Sequence, residues 1–531
     1  MFGGISKHNP MLNSPSVFPF AHSVIPSTHE EGSGMYCRIA ARTRWPVLFV
    51  VATLSGCITV GPDYKAPELS EKDVPTRWTS PTDTAKEPNA TKATPALPLK
   101  WWTELSDPAL NRLVTEAFNS SPTLEAAVAK LRQSRSQRAR TDAAAGPSVD
   151  GEAASERSVT DESGASTESW LSANSSWELD LFGSVRRGKE GALAREEAQL
   201  ATLADARVSL SADVTDAYLS HRACQSYQTL SEQDVTSRLA TEKLTAASVE
   251  VGFTAPYQGI RSTASVAEAK TELAQTRAQC RQLENLLTRL TGVTRPNLMK
   301  ILAEKPTGLD RLPVPKHFGI AIPSQALMQR PDIRAAERSL AAASADIGLA
   351  EADRYPRLSL NGSLGYSVTG GSGSGLLSYG TWSFGPSLSL PIFDGGRRSA
   401  VVEIAKSRYE EALATYKSKA RSAIQEVEDA LTRYAAAHER AENARIAASQ
   451  YQRFFDAVEK RYSEGANNLL ELEDARRSML SAQKTLLGVQ KERLQAWIAL
   501  NRATGGAAQY EPESESAKDQ DDNLAKTSSA K

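Results

Sequence analysis

Few side chains in this sequence have the type and spacing for chemistry. Its 531 residues include six His and four Cys. The cysteines Cys37, Cys57, Cys224 and Cys280 form no CxxC pair, and no two His stand at metal-ligand spacing, which argues against a zinc or haem centre. The chain has neither a glycine-rich loop to cradle a phosphate nor a GxSxG turn to present a nucleophile. With 62 Lys and Arg against 63 Asp and Glu, the net charge is −1, so no basic field draws in nucleic acid. No enzyme, cofactor or metal site is expected. One cysteine does have a chemical context. Arg38, Arg42 and Arg44 precede the apolar run Trp45 to Leu54, which leads into Leu54-Ser55-Gly56-Cys57. This is the order of a secretory signal, and the run is too short to span a bilayer. The ending resembles a bacterial lipoprotein signal, so Cys57 is expected to become the first mature residue and carry lipid. A plain signal peptide with an incidental Cys is the alternative. Residues before Met35 lack n-region character, and translation is expected to start at Met35.

The elements that would position functional side chains occur in two similar sets. Ser121-Pro122-Thr123-Leu124-Glu125-Ala126-Ala127 matches Arg330-Pro331-Asp332-Ile333-Arg334-Ala335-Ala336, and Pro122/Pro331 and Pro147/Pro356 are both 209 apart. Phe182 with Arg186-Arg187 matches Phe393 with Arg397-Arg398 at 211. Gly252 pairs with Gly465, and Thr291-Gly292 with Thr504-Gly505, at 213. Anchors in one order with slowly growing offsets predict an internal repeat. Each copy reads as helix, two strands, long helix, tip, helix.

In the second copy Leu358, Leu360, Leu364, Tyr366 and Val368 alternate with polar residues, as do Trp382, Phe384, Leu388, Leu390 and Ile392. Leu171, Ala173, Trp177, Leu179 and Leu181 alternate in the first copy. Its partner strand, near 148–160, is weakly patterned and is assigned by symmetry. A period of two marks strands with one apolar face. Strands of about ten residues of this kind are the mark of an outer-membrane barrel, the alternative being a soluble sheet on a core. Four strands cannot close a barrel, and open edges cannot face lipid. Other subunits must therefore complete it, to eight strands in a dimer or twelve in a trimer.

Long proline-free stretches follow, at about 185–251 and 397–464, each reaching roughly 100 Å as helix. In the second, Val402, Ala405, Tyr409, Ala412, Tyr416, Ala420, Ala423, Val427, Ala430 and Tyr434 step by three and four, a coiled-coil-like packing seam. Each long helix ends near a glycine and turns back, with tips near 252–256 and 465–469. Cys224 lies 28 residues before Gly252 and Cys280 lies 28 after it. Equal distances from a tip set the two at one height on facing helices. In an oxidising compartment a Cys224–Cys280 disulfide is predicted.

The chain resembles the NodT branch of the TolC-like outer-membrane efflux proteins. The resemblance rests on Val60-Gly61-Pro62-Asp63-Tyr64, on Trp177-Glu178-Leu179-Asp180-Leu181-Phe182-Gly183, and on Ile322-Pro323-Ser324 through Arg330-Pro331-Asp332-Ile333-Arg334-Ala335-Ala336-Glu337. Gly385-Pro386 through Pro391-Ile392-Phe393-Asp394-Gly395-Gly396-Arg397 completes it. It implies an α+β membrane protein, a homotrimer with a twelve-stranded barrel in the outer membrane and a long α-helical coiled-coil tunnel in the periplasm. Implied partners are outer-membrane lipid, a periplasmic adaptor and an inner-membrane pump of the resistance-nodulation-division class. Implied function is passive export of small molecules. A type I protein-secretion duct is the alternative, and a coiled-coil scaffold is a third reading that the strands count against. Carried over onto Gly465, the family's acidic constriction falls on Glu471 and Asp474, with Tyr462 at a gate-bonding position; a solvated helix face is the plainer reading of the two acids. Asn467 stands where the family can use arginine, and Tyr257-Gln258 where it can use Thr-Asp, so the family's salt-bridged lock is altered. Gly252, Phe253 and Ala255 at one tip, and Gly465, Ala466 and Leu469 at the other, are the implied adaptor-docking positions.

The expected organisation is a signal region over 1–56, a Pro-, Thr- and Lys-rich tether over 57–102, a first repeat over 103–293, a linker over 294–322 and a second repeat over 323–506. An acidic tail over 507–531 is expected to be disordered.

Overall fold

The computed structural model describes residues 59–67, 78–80, 100–160, 164–304, 330–371 and 374–506, all within the unit that runs from Cys57 to Lys531. Cys57, the signal region and the acidic tail lie outside the described residues. A 3₁₀ turn, Trp101–Leu105, precedes α1 (Pro108–Ser120) and α2 (Pro122–Ala143). Both helices start where the sequence supplies a cap followed by proline. Asp107 accepts from the Ala109 and Leu110 amides at 3.1 and 3.4 Å, and the Ser121 hydroxyl from the Leu124 amide at 3.4 Å. Next come β1 (Ser148–Thr160), β2 (Gly164–Leu179), α3 (Ser184–Glu250), α4 (Pro256–Thr291) and α5 (Arg295–Ala303). The second half runs α6 (Pro331–Ala352), β3 (Arg357–Gly371), β4 (Ser374–Ser389), α7 (Arg397–Ser463) and α8 (Leu469–Ala503). α2 and α6 both have 22 residues, and α3 and α7 both have 67. Along α7 the buried positions Val402, Ala405, Tyr416, Ala420, Ala423, Val427 and Ala430 trace the three-and-four stripe of the sequence.

Two expected boundaries need correction. The tether expected over 57–102 ends sooner, because Trp101 and Trp102 are core residues. Trp101 is 1 % exposed and meets the Trp497 ring edge-on at 5.3 Å, beside Leu110, Leu113, Tyr218, Leu287 and Leu298. Two indoles bury too much apolar surface to be left on a tether. The linker, in turn, opens with α5, whose Leu298, Ile301 and Leu302 pack into that same core. Upstream, the short segment 78–80 is fastened to the middle of α7, where Glu428 accepts from the Thr79 and Ser80 amides at 2.7 and 2.9 Å.

The four strands form one antiparallel sheet in the order β1-β2-β3-β4. Its register keeps like with like. Ala173, Leu364 and Trp382 form a row across three strands, and so do Trp177, Leu360 and Pro386. On the other face run Asn174, Ser363 and Ser383, the last two with hydroxyls 2.8 Å apart. Leu171, Leu364, Trp382, Phe384 and Leu388 are all exposed in the single chain. A face this apolar with nothing over it belongs in lipid or against another subunit. No described helix is long and apolar enough to cross a membrane.

Candidate functional site

The hairpin tips are built by the same device twice. Gly252 has φ of +78° and Gly465 of +74°, the left-handed conformation that ends a helix. The Phe253 amide reaches back to the Ser248 carbonyl at 2.9 Å, and the Ala466 amide to the Arg461 carbonyl at 2.8 Å. Space around both glycines is open, so conformation alone demands them. Each tip then re-enters a helix by its own means: Pro256 at the first turn of α4, and Asn468 capping α8 through the Glu471 amide at 2.9 Å.

Around these turns Phe253 is 89 % exposed, and Tyr257, Ala255 and Ala466 are also open to solvent. Leu469 is not. At 2 % exposed it turns into the hairpin as the first core residue of α8, which corrects the docking position assigned to it. Its neighbour Leu470 is the exposed one. Tyr462 shares a hydrogen bond with Thr245 at 2.8 Å, tying α7 to α3 within the chain. Gln258 donates weakly to the Tyr257 hydroxyl at 3.5 Å. Asn467 is half-buried, and its side-chain amide nitrogen has no hydrogen-bond partner. Glu471 and Asp474 project from the exposed face of α8, and Asp474 pairs with Arg477 at 3.1 Å. Within one chain, then, Tyr462 is engaged, whereas the two carboxylates, Asn467 and the Tyr257-Gln258 pair do not meet. Cys224 and Cys280 form a disulfide with Cα atoms 5.6 Å apart, joining α3 to α4. Among the described residues no three His, Cys, Asp or Glu side chains gather as a metal site.

What the sequence reading passed over is a buried polar network just above the tips. Glu473 in α8 pairs with Arg476 on the next turn and with Arg238 of α3 at 3.2 Å. Arg238 is also held by both Asp234 oxygens at 3.0 Å and by Ser265 of α4. Arg476, 0 % exposed, donates to Thr241 at 2.7 Å and Ser237 at 3.2 Å and lies over the Phe455 ring. Two cations and two carboxylates cancel, as burial requires, and the network bolts α8 to α3 and α4. A signal for it exists in the sequence. Leu469, Leu472, Arg476 and Met479 step by three and four, so an arginine occupies a core position of the stripe.

Higher up, the polar face of the sheet carries Asp150, Glu152 and Glu156 on β1 and Glu168 and Glu178 on β2. At its base Arg187, 4 % exposed, holds the chain just after Cys57: its guanidinium donates to the Val60 and Gly61 carbonyls at 3.2 and 3.1 Å and to Asp63 at 2.8 Å.

A two-sided strand wall carried on helical hairpins of this length is the build of an outer-membrane channel, and residues 113–293 and 322–506 each match the outer membrane efflux protein family, to which the chain belongs. It is a TolC-like member. Among its relatives are nodulation protein T of Rhizobium leguminosarum bv. viciae, 30% identical over 460 residues (85% of this chain, 91% of that one). The antibiotic efflux pump outer membrane protein ArpC of Pseudomonas putida is 31% identical over 479 residues, 86% of this chain and 94% of its own. Among solved structures the outer-membrane channel OprN superposes with a TM-score of 0.74 at 32% identity, covering 85% of this chain and all of that one. The Campylobacter jejuni CmeC outer membrane channel shares the fold, with a TM-score of 0.76 at 21% identity over 87% of this chain and 98% of its own.

Proposed function

We propose that this chain is the outer-membrane duct of a tripartite efflux system, passively exporting small molecules that an inner-membrane pump delivers through a periplasmic adaptor. The observation that carries this is the sheet: four antiparallel strands, one exposed apolar face, two open edges, on helices roughly 100 Å long. Lipid can accept the face but not the edges. Three internally duplicated chains would close twelve strands with the polar face inward, and their hairpins would continue the bore into the periplasm. The relatives named as efflux pump components support this reading. A lipid on Cys57 fits it as well. The Val60 amide is bonded to the Phe182 carbonyl at 3.1 Å, which fastens the first described residues after Cys57 close to the end of β2. In the same reading the exposed tips, with Phe253 and Leu470, receive the adaptor, and Glu471 and Asp474 line the narrow end. The duct needs neither cofactor nor catalytic group.

The test is accumulation of a fluorescent efflux dye in a deletion strain, with and without the restored gene. Accumulation that rises on deletion and falls on restoration is expected. An unchanged level of dye and of a panel of antibiotics, with proteins missing from the secreted fraction, would overturn small-molecule efflux in favour of protein secretion.

A further inference from the structure

At the foot of the sheet a recess of about 360 Å³ is lined by Asp353, Tyr355, Arg357, Ser389, Arg397 and Arg398, among others. We propose that this recess binds small organic acids by their carboxylate, as a site on the wall of the bore. Its place in the bore rests on the duct proposed above, whereas the recess itself belongs to a single chain.

The charge around it is not balanced. Arg357 pairs with Asp353, and Arg398 with Asp394 at 3.0 Å. Asp394 is further occupied by the Gly396 and Arg398 amides at 3.0 and 3.2 Å. The Arg397 guanidinium makes no hydrogen bond or ion pair among the described residues. Three guanidinium groups against two carboxylates leave one positive charge, which a monoanion matches. A planar carboxylate fits the fork of a guanidinium. Tyr355 adds an aromatic wall, its ring stacked on Phe182 with centroids 4.8 Å apart. The volume falls at the lower end of ordinary ligand pockets, which suits an acid the size of benzoate.

These charges are particular to the second half. α3 and α7 are equal in length and 213 residues apart, each entered from a glycine with φ of +87° and +86°. At that offset Arg397 and Arg398 match Ser184 and Val185, and the first half's own pair, Arg186-Arg187, comes two residues later in its helix. Two residues are about 200° of helix rotation, so the two pairs face different sides. Arg187 turns to the Val60 and Gly61 carbonyls, whereas Arg397 and Arg398 turn to the end of α6 and the strand ends. Asp353 and Arg357 match Ala144 and Ser148 at 209, the interval between α2 and α6.

The sheet also directs an anion there. Arg357 faces Ser389 on the polar side, in line with Ser359 facing Ser387 and Ser363 facing Ser383. That side of β3 and β4 carries no charge besides Arg357, while on β1 and β2 it carries the five carboxylates named above. An anion in the bore is repelled by the one wall and drawn to the foot of the other.

The test is isothermal titration calorimetry of the full-length protein with benzoate, and with benzamide as its neutral counterpart. Saturable binding of benzoate is expected, none of benzamide, and an affinity lowered about tenfold or more in Arg397→Gln. Because Arg397 holds no carboxylate, this variant orphans no charge. Arg186→Gln, in the corresponding pair of the first half, should bind as the unaltered protein does. Equal heats for benzoate and benzamide, or an unchanged affinity in Arg397→Gln, overturn the site. A short-chain, soluble phosphatidylglycerol that binds more tightly than benzoate, with the same dependence on Arg397, assigns the recess to a lipid headgroup and overturns the organic acid. Planar-bilayer conductance in potassium chloride reports the duct separately. A protein that binds benzoate but forms no channel loses the bore and keeps the site, and a channel that binds no benzoate loses the site alone.

Discussion

Glu473 is the residue whose loss has the most calculable consequence. Its carboxylate, 8 % exposed, is shared by Arg476 and Arg238. Glu473→Ala leaves Arg238 with Asp234 at 3.0 Å, but leaves Arg476 buried with only two hydroxyls and the Phe455 ring. Removing one partner of a buried ion pair costs about 3–5 kcal/mol, because the remaining cation stays out of water without compensation. The network joins α8 to α3 and α4 near the tips, so this cost falls on the docking of one hairpin against the other. At about 1.4 kcal/mol per factor of ten, opening of α8 there should become between about a hundredfold and a few thousandfold more frequent. Amide hydrogen exchange of the purified protein reads this directly: protection over 472–480 should drop by that factor, while the α1–α5 core keeps its rates. Asp474→Asn is the matched control. Its pair with Arg477 is more than half exposed on both sides, and such pairs are worth about 0–1 kcal/mol. The double variant Glu473→Met with Arg476→Met should regain most of the protection, since apolar residues of similar volume leave no orphaned charge. Loss of less than tenfold in Glu473→Ala, or loss equal to that of Asp474→Asn, would refute the reasoning.

Further perturbations have definite signs. His221 is 1 % exposed, 3.8 Å from Glu284, with no partner on Nδ1; burial, opposed by Glu284, pushes its pKa down to about 4. The unfolded chain therefore binds the extra proton between about pH 6.5 and 4, so stability is full above 6.5 and falls by roughly 3 kcal/mol as pH drops through that window. His221→Gln should flatten the melting curve against pH there, and parallel profiles would count against the assignment. Cys224→Ser with Cys280→Ser opens a closure of 56 residues, a loss of about 4 kcal/mol in the chain-entropy account; an unchanged thermal midpoint would contradict it. Arg187→Met should free the segment after Cys57, seen as tryptic cutting at Lys65 in the folded protein, and an identical digest would show that other contacts hold it. Replacing both Glu471 and Asp474 by neutral isosteres should lower cation preference in planar-bilayer recordings, whereas an unmoved reversal potential would assign selectivity elsewhere.

The long helices were legible because length, absent proline and terminal glycine all pointed one way: 185–251 and 397–464 on paper became Ser184–Glu250 and Arg397–Ser463. β1 was legible only through its copy, since Ser-Val-Asp-Gly-Glu-Ala-Ala-Ser alternates weakly and its pairing with β2 supplies what its own pattern lacks. Trp101 and Trp102 were misplaced because a Pro-rich stretch continues almost to them and their core is assembled from α1, α3, α4 and α8, contacts no local window contains. The site was harder to read for a related reason. Glu471, Glu473 and Asp474 are chemically alike in sequence, and which of them turns inward depends on Ser237, Arg238 and Thr241, more than 230 residues away. Leu469 failed in the opposite sense, an apolar residue beside a tip glycine that the helix start rotates into its own hairpin.

The Cys224–Cys280 bond divides the two hairpins by mechanical character. It stands 28 residues from Gly252, about 40 Å of helix from the tip, and prevents α3 and α4 from sliding past each other. In the second hairpin the corresponding positions, 213 residues on, are Ala437 and Arg493, and α7 and α8 carry no covalent cross-link there. One arm is then a stapled beam, and the other is held by non-covalent contacts alone, among them the Arg440–Glu492 ion pair. In the trimeric duct proposed above, three stiff arms and three compliant ones would alternate around the axis and would not widen as a uniform ring. The aperture would pass through a triangular shape, its corners set by the arms that yield.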